Sequence, residues 1–375
     1  MDYDLLIKGG EVLDPGQGLH GKLDIAISGD RIAVIGPDMP TQNATKVIDA
    51  AGKLVTPGLI DLHTHIYWGV SPARLDPDVE AIKGAVCTQC DAGSADAGSF
   101  PGFRRFLIDR SASRVFCWLN IGPRTGMSLG RDPRNVLQMN EPATEQAIEN
   151  NRDVIIGLKS FCGWNVAGPM ADPNLDYARE VAFRRDVPIM VHISTGPPRI
   201  ESVVERLKQG DVLSHCFTGH DQRVVDMNGK IKPAVKAARE RGVLLDIGHG
   251  EGSFSFRVAE QMLDQDEPPD IISTDLHGGC VNGPTYNLVT TMNKFLALGM
   301  DLHEVILRVT ANPASVIGRI EGLGSLKVGG AADISVLRHD ECHFELVDCY
   351  RMTKILNKGL VPEMAICRGK VLGSS

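Results

Sequence analysis

The sequence predicts an α/β protein, a (β/α)8 TIM barrel carrying a small β-sandwich domain built from both chain termini. Three observations predict it. Eight apolar, strand-like runs fill the middle of the chain, amphipathic stretches separate several of them, and short alternating strands occupy both ends. Runs that are apolar throughout, rather than at every second residue, suit strands covered on both faces, as barrel strands are. A doubly wound open sheet is the alternative; it is disfavoured because no glycine-rich nucleotide loop follows the first strand.

Taken in order, residues 1–54 read as short strands, "YDLLIKGGEVLD", "GKLDIAISGDRIAVIG" and "TKVIDAAGKLVTPG", broken by Gly, Asp and Pro turns. The same texture returns in "AADISVLRHD" and "PEMAICRGKVL". Residues 1–54 plus 322–375 are therefore expected to form one composite sandwich, with residues 55–321 as the barrel. The barrel runs are "PGLIDLHTH", "GAVCTQCDAG", "RVFCWLNIG", "VIIGLKS", "PIMVHIS", "VLSHCFTG", "GVLLDIG" and "DIISTDLH". Amphipathic segments such as "NLDYAREVAFRRD", "IESVVERLKQ", "IKPAVKAARERG" and "SFRVAEQMLDQ" alternate with them as helices.

Composition narrows the function class. A chain of 375 residues fits one large α/β domain plus an accessory unit. It is 43% hydrophobic and 23% charged, ordinary for a soluble globular enzyme, and a small-molecule substrate is the expected partner. A net charge of −8 without a basic run argues against nucleic acid. No stretch reaches the roughly 18–20 apolar residues of a membrane span. The first residues lack the features of an export signal, and nine cysteines without regular spacing read as reduced thiols, so a cytoplasmic location is expected. "CTQC" at Cys87–Cys90 reads as thiols in and beside a buried strand, because no second pair stands at matching spacing.

The residues that end the barrel runs carry the chemistry. His63 and His65 end the first, Lys159 the fourth, His192 the fifth, His215 the sixth and Asp275 the eighth. Alternate residues of a strand face the same way, so His63 and His65 point into one space. All strand C-termini of a barrel meet at one mouth, where active sites lie. One strand-end histidine is more often a hydrogen-bonded core residue. Six polar groups, costly to bury, point instead to a shared metal site. Lys159 is the odd member, since an ammonium repels cations and burial favours the neutral amine. A neutral amine can add carbon dioxide to give a carbamate, able to bridge two metals about 3.5–4 Å apart. Pairing with a carboxylate such as Asp275 is the alternative.

On these motifs the chain resembles the amidohydrolase superfamily over nearly all its length. "PGLIDLHTH" resembles the first metal motif, "GLKS" the carbamylated lysine, "VHIS" and "SHCF" the single histidines, and "STDLH" the last strand. That pattern is similar to the binuclear subtype shared by dihydroorotases, hydantoinases, D-aminoacylases and phosphotriesterase-like enzymes. The resemblance implies that His63, His65 and Asp275 hold the more buried metal, and His192 and His215 the more exposed one. Lys159, as N6-carboxylysine, would bridge them. The implied cofactors are two divalent ions, zinc in expectation, with carbon dioxide or bicarbonate for the lysine. "DAGSADAG", "NIGPRTG", "DIGHGEGSF" and "STDLHGGCVNGPTYNLVTTMNKFLALGM" look most like a bacterial group labelled dihydroorotase-like amidohydrolase/deacetylase. Dihydroorotases usually carry an arginine directly after the histidine pair to grip the substrate carboxylate. Here "HTHIYWG" has Ile66 and Tyr67, a departure that weighs against dihydroorotase activity.

The resemblance implies a hydroxide bridging two metals as nucleophile, with Asp275 as the catalytic proton carrier. No G-x-S-x-G elbow is present. The expected function is hydrolytic removal of an acyl group, amide or ester, from a small acylated amino or hydroxy acid. The rivals are cyclic amide hydrolysis of the dihydroorotase or hydantoinase kind, deamination, and a metal-free assembly partner of the same fold. The intact ligand set counts against the last. Substrate-binding candidates are His249 and Glu251 beyond the seventh run, and His277 and Asn282 beyond the eighth. Tyr67, Trp68 and Arg124 on rim loops could form an aromatic wall and a carboxylate clamp. His220, His303, His339 and His343 are expected on helices or outlying β segments. Oligomers are common in such proteins, and a homo-oligomer is expected.

Overall fold

The computed structural model describes residues 3–122 and 140–373. Five strands come first: β1 (Tyr3–Asp14), β2 (Leu19–Ser28), β3 (Arg31–Gly36), β4 (Ala44–Asp49) and β5 (Leu54–Pro57). Seven follow in the middle of the chain: β6 (Leu59–Thr64), β7 (Val86–Asp96), β8 (Arg114–Asn120), β9 (Ile155–Phe161), β10 (Ile189–His192), β11 (Val212–Ser214) and β12 (Leu244–Asp246). Three close the chain: β13 (Ile334–Val347), β14 (Thr353–Cys367) and β15 (Lys370–Val371).

Strands β6 to β12 lie side by side in chain order, all parallel. Every residue of β6, β7 and β9 is buried, the environment their unbroken hydrophobicity calls for. The eighth run is extended chain rather than a regular strand, yet it closes the ring. Ile271 bridges Asp246 of β12, and Leu276 bridges Thr64 of β6, both in parallel. Asp61 reinforces that seam by accepting from the backbone N–H of Thr274 at 3.1 Å and from its hydroxyl at 2.5 Å. The architecture is the (β/α)8 barrel with a β-sandwich domain that the sequence predicts. One apolar cluster joins Ile60, Leu62, Cys90, Phe116, Trp118, Ile156, Met190, Val212 and Ile271, drawing on strands all around the ring.

Strands β1 to β5 and β13 to β15 make a mixed sheet in the order β15-β14-β13-β5-β1-β2-β3, with β4 also pairing with β1. Its core holds Leu5, Ile7, Ile25, Ile27, Val55, Ile334 and Ile366. Helix starts follow local chemistry. Asp76 caps the helix Pro77–Gly84 by accepting from the N–H groups of Asp78 and Val79, and Asn287 caps Leu288–Ala297 through Thr290. Cys87 and Cys90 both lie buried in β7 but join different apolar clusters, so they do not face each other as a pair. No helix among the described residues is long and apolar enough to cross a membrane.

One long-range feature escapes the sequence. The tip of the β13–β14 hairpin reaches the barrel rim, where the Tyr350 hydroxyl accepts from Gly219 N–H at 3.1 Å and donates to the Gly252 carbonyl. His220, expected on a helix or an outlying strand, instead occupies the rim loop after β11, its ring 6.1 Å from that of Tyr350. "FTGH" carries no periodicity to distinguish a short loop from a helix start.

Candidate metal centre

Closing the ring brings the strand ends together. His63 and His65, two residues apart on and just beyond β6, both turn to Asp275. Their Nε2 atoms stand 3.3 Å and 3.0 Å from Asp275 Oδ1. The three residues offer ligand atoms mutually close enough to share one cation. Lys159 of β9 is fully buried, with Nζ 3.0 Å from His63 Nε2 and 3.3 Å from Met190 Sδ. The ring of His215 lies 5.1 Å from that of His63, and that of His192 lies 4.3 Å from His215 at a steep angle. Groups from five separate runs thus surround one space.

The rings of His63, His65 and His215 are oriented from behind. His63 Nδ1 meets Ser214 Oγ at 2.7 Å and Asp246 Oδ2 at 3.3 Å, while Asp246 accepts from both Ser214 and Ser273 hydroxyls at 2.5 Å. His65 Nδ1 lies 3.0 Å from Ser94 Oγ, and His215 Nδ1 donates to the Gly248 carbonyl at 2.6 Å. In each case Nε2 is left to face the centre. The backbone is strained in the same place: His215 and Asp275 have φ of 66° and 48°, a region that residues bearing a Cβ rarely adopt. Gly248 and Gly250 press in from the loop after β12. A Cβ at Gly248 would stand 2.9 Å from both His215 Nδ1 and His63 Nδ1, and one at Gly250 would stand 2.5 Å from Asp275 Oδ2.

The charge states of Asp275, His65 and His215 suit cation binding. Burial opposes ionisation of Asp275, but His63 and His65 hold its carboxyl well below the usual range. Burial, with the charge of Arg74, keeps His65 well below the usual imidazole value, and burial pushes His215 down to about 3. Burial and Lys159 act to lower His63 too, yet Asp275 and Asp246 outweigh them and raise it. An ionised carboxylate and neutral imidazoles are the forms that coordinate metals, so Asp275, His65 and His215 are ready for a cation, whereas His63 must give up its proton to one. His215 Nε2 is buried with no hydrogen-bond partner among the described residues, a costly state that a cation would relieve. The donor set therefore fits a divalent metal.

The substrate-side candidates fall in different surroundings. His277, half-buried, has its ring 6.1 Å from that of His65 and accepts at Nδ1 from Gly279 N–H at 3.0 Å. Glu251 packs its carboxylate against Gly279 beside it, while Asn282 and Trp68 are exposed. Tyr67 is buried, stacked on Phe103 at 4.6 Å, with its hydroxyl donating to the Ser99 carbonyl. His249 is fully buried, and both ring nitrogens already have protein partners: Lys294 at Nε2, Gly250 and Thr285 at Nδ1. Arg124 lies outside the described residues. Sequence reasoning misses Asp246, although it too ends an apolar run, in "LLDIG". It also misses Ser94, Ser214 and Lys294, whose types and positions are unremarkable until the ring closes.

Comparison with known proteins gives the family and the fold. Residues 46–98 and 165–372 each match a model described as amidohydrolase family. A deacetylase of Agrobacterium fabrum is 33% identical over 355 residues, covering 94% of this chain and 87% of that protein. A crystal structure titled as an adenine deaminase superposes with a TM-score of 0.91 at 30% identity, covering 99% of both chains. One titled as a dihydroorotase superposes at 0.89 with 32% identity, covering 99% of this chain and 98% of the other.

Proposed function

The chain belongs to the amidohydrolase family and is a hydrolytic enzyme, and we propose that it removes an acyl group from a small acylated amino or hydroxy acid. The observation that carries this reading is the convergence of His63 and His65 on Asp275 Oδ1 beside the buried Lys159 Nζ. His63, His65 and Asp275 would hold one divalent ion, and His192 and His215 a second. Lys159, carboxylated on Nζ by carbon dioxide, would serve both. When bound, such ions, zinc in our reading, supply Lewis acidity that activates water near neutral pH and polarises the scissile carbonyl.

The chain's own groups do the rest. Asp275, ionised at neutral pH, accepts the proton of the attacking water and passes it to the departing amine or alkoxide. His277 accepts at Nδ1, which leaves its ring proton on Nε2, a donor for the substrate at the mouth. The relative named as a deacetylase supports acyl removal. So do Ile66 and Tyr67, both buried where a dihydroorotase would present an arginine.

Cyclic amide hydrolysis is the second reading, favoured by the 32% identity to a structure titled as a dihydroorotase. One panel separates the two. Zinc-loaded protein is offered N-acyl amino acids and O-acyl hydroxy acids in both enantiomers, alongside dihydroorotate, hydantoins and adenine. Turnover of acylated compounds alone supports the proposal; turnover of dihydroorotate with none of them overturns it.

A further inference from the structure

We propose that Lys294, acting through His249, is a positioning residue for His215 and Asp275, the two ligands flanked by the loop Gly248–Gly250. This rests on the metal-centre reading above. Lysines on helices ordinarily reach solvent, yet Lys294, on the helix Leu288–Ala297, is fully buried. Its Nζ stands 2.6 Å from His249 Nε2 and 2.8 Å from the Pro284 carbonyl. An ammonium only donates, so His249 Nε2 must accept and its ring proton must sit on Nδ1. That proton points at the Gly250 carbonyl, 2.9 Å away, which Thr285 Oγ1 also approaches at 2.8 Å. The face of the imidazole is stacked on Phe254 at 4.7 Å. Lys294 thereby fixes the tautomer, and the tautomer ties the ring to the loop.

The loop has no slack to absorb a change. Gly248 and Gly250 have φ of 47° and 57°, on either side of His249. Gly248 supplies the carbonyl that orients His215, and the Gly250 backbone lies directly against Asp275 Oδ2. A shift of a few tenths of an ångström at His249 therefore reaches both ligands. A methionine of similar length would fill the space under Phe254 without the cost of burying an amine. What the amine adds is a donor aimed at His249.

The test compares wild type, Lys294→Met, His249→Phe and the double variant. Zinc dissociation constants come from chelator competition on metal-free protein, the visible spectrum of the cobalt form reports ligand geometry, and circular dichroism checks folding. Each single variant should hold zinc about 10–100-fold more weakly, with an altered cobalt spectrum. The double variant should be no weaker than the weaker single one, because both break the same link. Wild-type affinity in Lys294→Met, or losses that multiply in the double variant, would overturn the inference. Should Lys294→Met not fold, His249→Phe decides alone, since it keeps the stack on Phe254: unweakened zinc binding sinks the link. Wild-type protein that takes up neither zinc nor cobalt fails one step earlier, overturning the metal reading and this inference with it.

Discussion

Two groups of proposed metal ligands flank Lys159, and the protein holds them by different means. His63 and His65 are both already joined to Asp275, and behind His63 stands Asp246, a fully buried carboxylate tied to two serines. His215, in contrast, is held from behind by one backbone carbonyl, and its Nε2 has no hydrogen-bond partner among the described residues. The first group is braced by an anion; His215 is braced by a loop. A carboxylate behind an imidazole raises its basicity as a ligand, whereas a neutral carbonyl does so less. Two ions bound here should therefore differ in affinity, with the tighter one at His63, His65 and Asp275.

The largest effect should come from Lys159, the residue proposed to serve both groups. Lys159→Ala should lose at least one metal per chain and reduce kcat by about 10²–10³-fold or more, the scale of losing a main electrostatic element of an active site. Metal analysis with steady-state kinetics checks it, and wild-type turnover in that variant would remove the bridging role. Next comes the asymmetry itself. Stepwise chelation of wild-type protein should release metal in two stages. His215→Ala should abolish the weaker stage and spare the tighter, and His63→Ala should do the reverse. Loss of the tight stage in His215→Ala would invert the comparison.

A smaller effect separates an anionic brace from a neutral one within the first group. Asp246→Asn keeps the shape but not the charge behind His63, and should weaken zinc about 10–100-fold. Ser94→Ala removes one neutral hydrogen bond behind His65 and should weaken it only about 2–10-fold, the worth of such a bond. Equal losses in the two variants, read by the same chelator competition, would show that charge is not what distinguishes the braces.

Which parts are legible in the sequence follows from the same physics. His63, His65, Lys159, His192, His215 and Asp275 stand out because polar groups that end apolar runs are costly to bury, and their order along the chain matches a barrel's strands. The eight runs are legible for the same reason, even though residues 271–276 form only isolated bridges. Lys294 is not legible. In "TTMNKFLALG" it reads as the solvent face of a helix, and its burial comes from groups distant in the chain, His249, Phe254 and the Pro284 carbonyl, that only folding sets against it. Tyr67 and His249 read as rim residues because they follow strand ends by a few positions. Whether such a residue faces the mouth or the packing beneath it depends on partners such as Ser99 and Thr285, which are distant or featureless in the sequence.

The smallest effect concerns the loop that braces His215 and is read without any metal. Burial lowers the Lys294 ammonium from 10.5 to about 8. Between those values the folded chain has released this proton while the unfolded chain still holds it. The unfolded state then binds more protons, so stability contributed through this group rises with pH across that window and is flat below it. Lys294→Met has no such group. With metal removed, the difference in unfolding free energy, wild type minus Lys294→Met, should increase as pH rises from about 8 towards 10.5. Other groups that titrate in the same range are common to both proteins and cancel in the difference. A pH-independent difference in denaturant midpoints would mean that the amine keeps its solution pKa, and that the loop beside His215 is not braced by a desolvated charge.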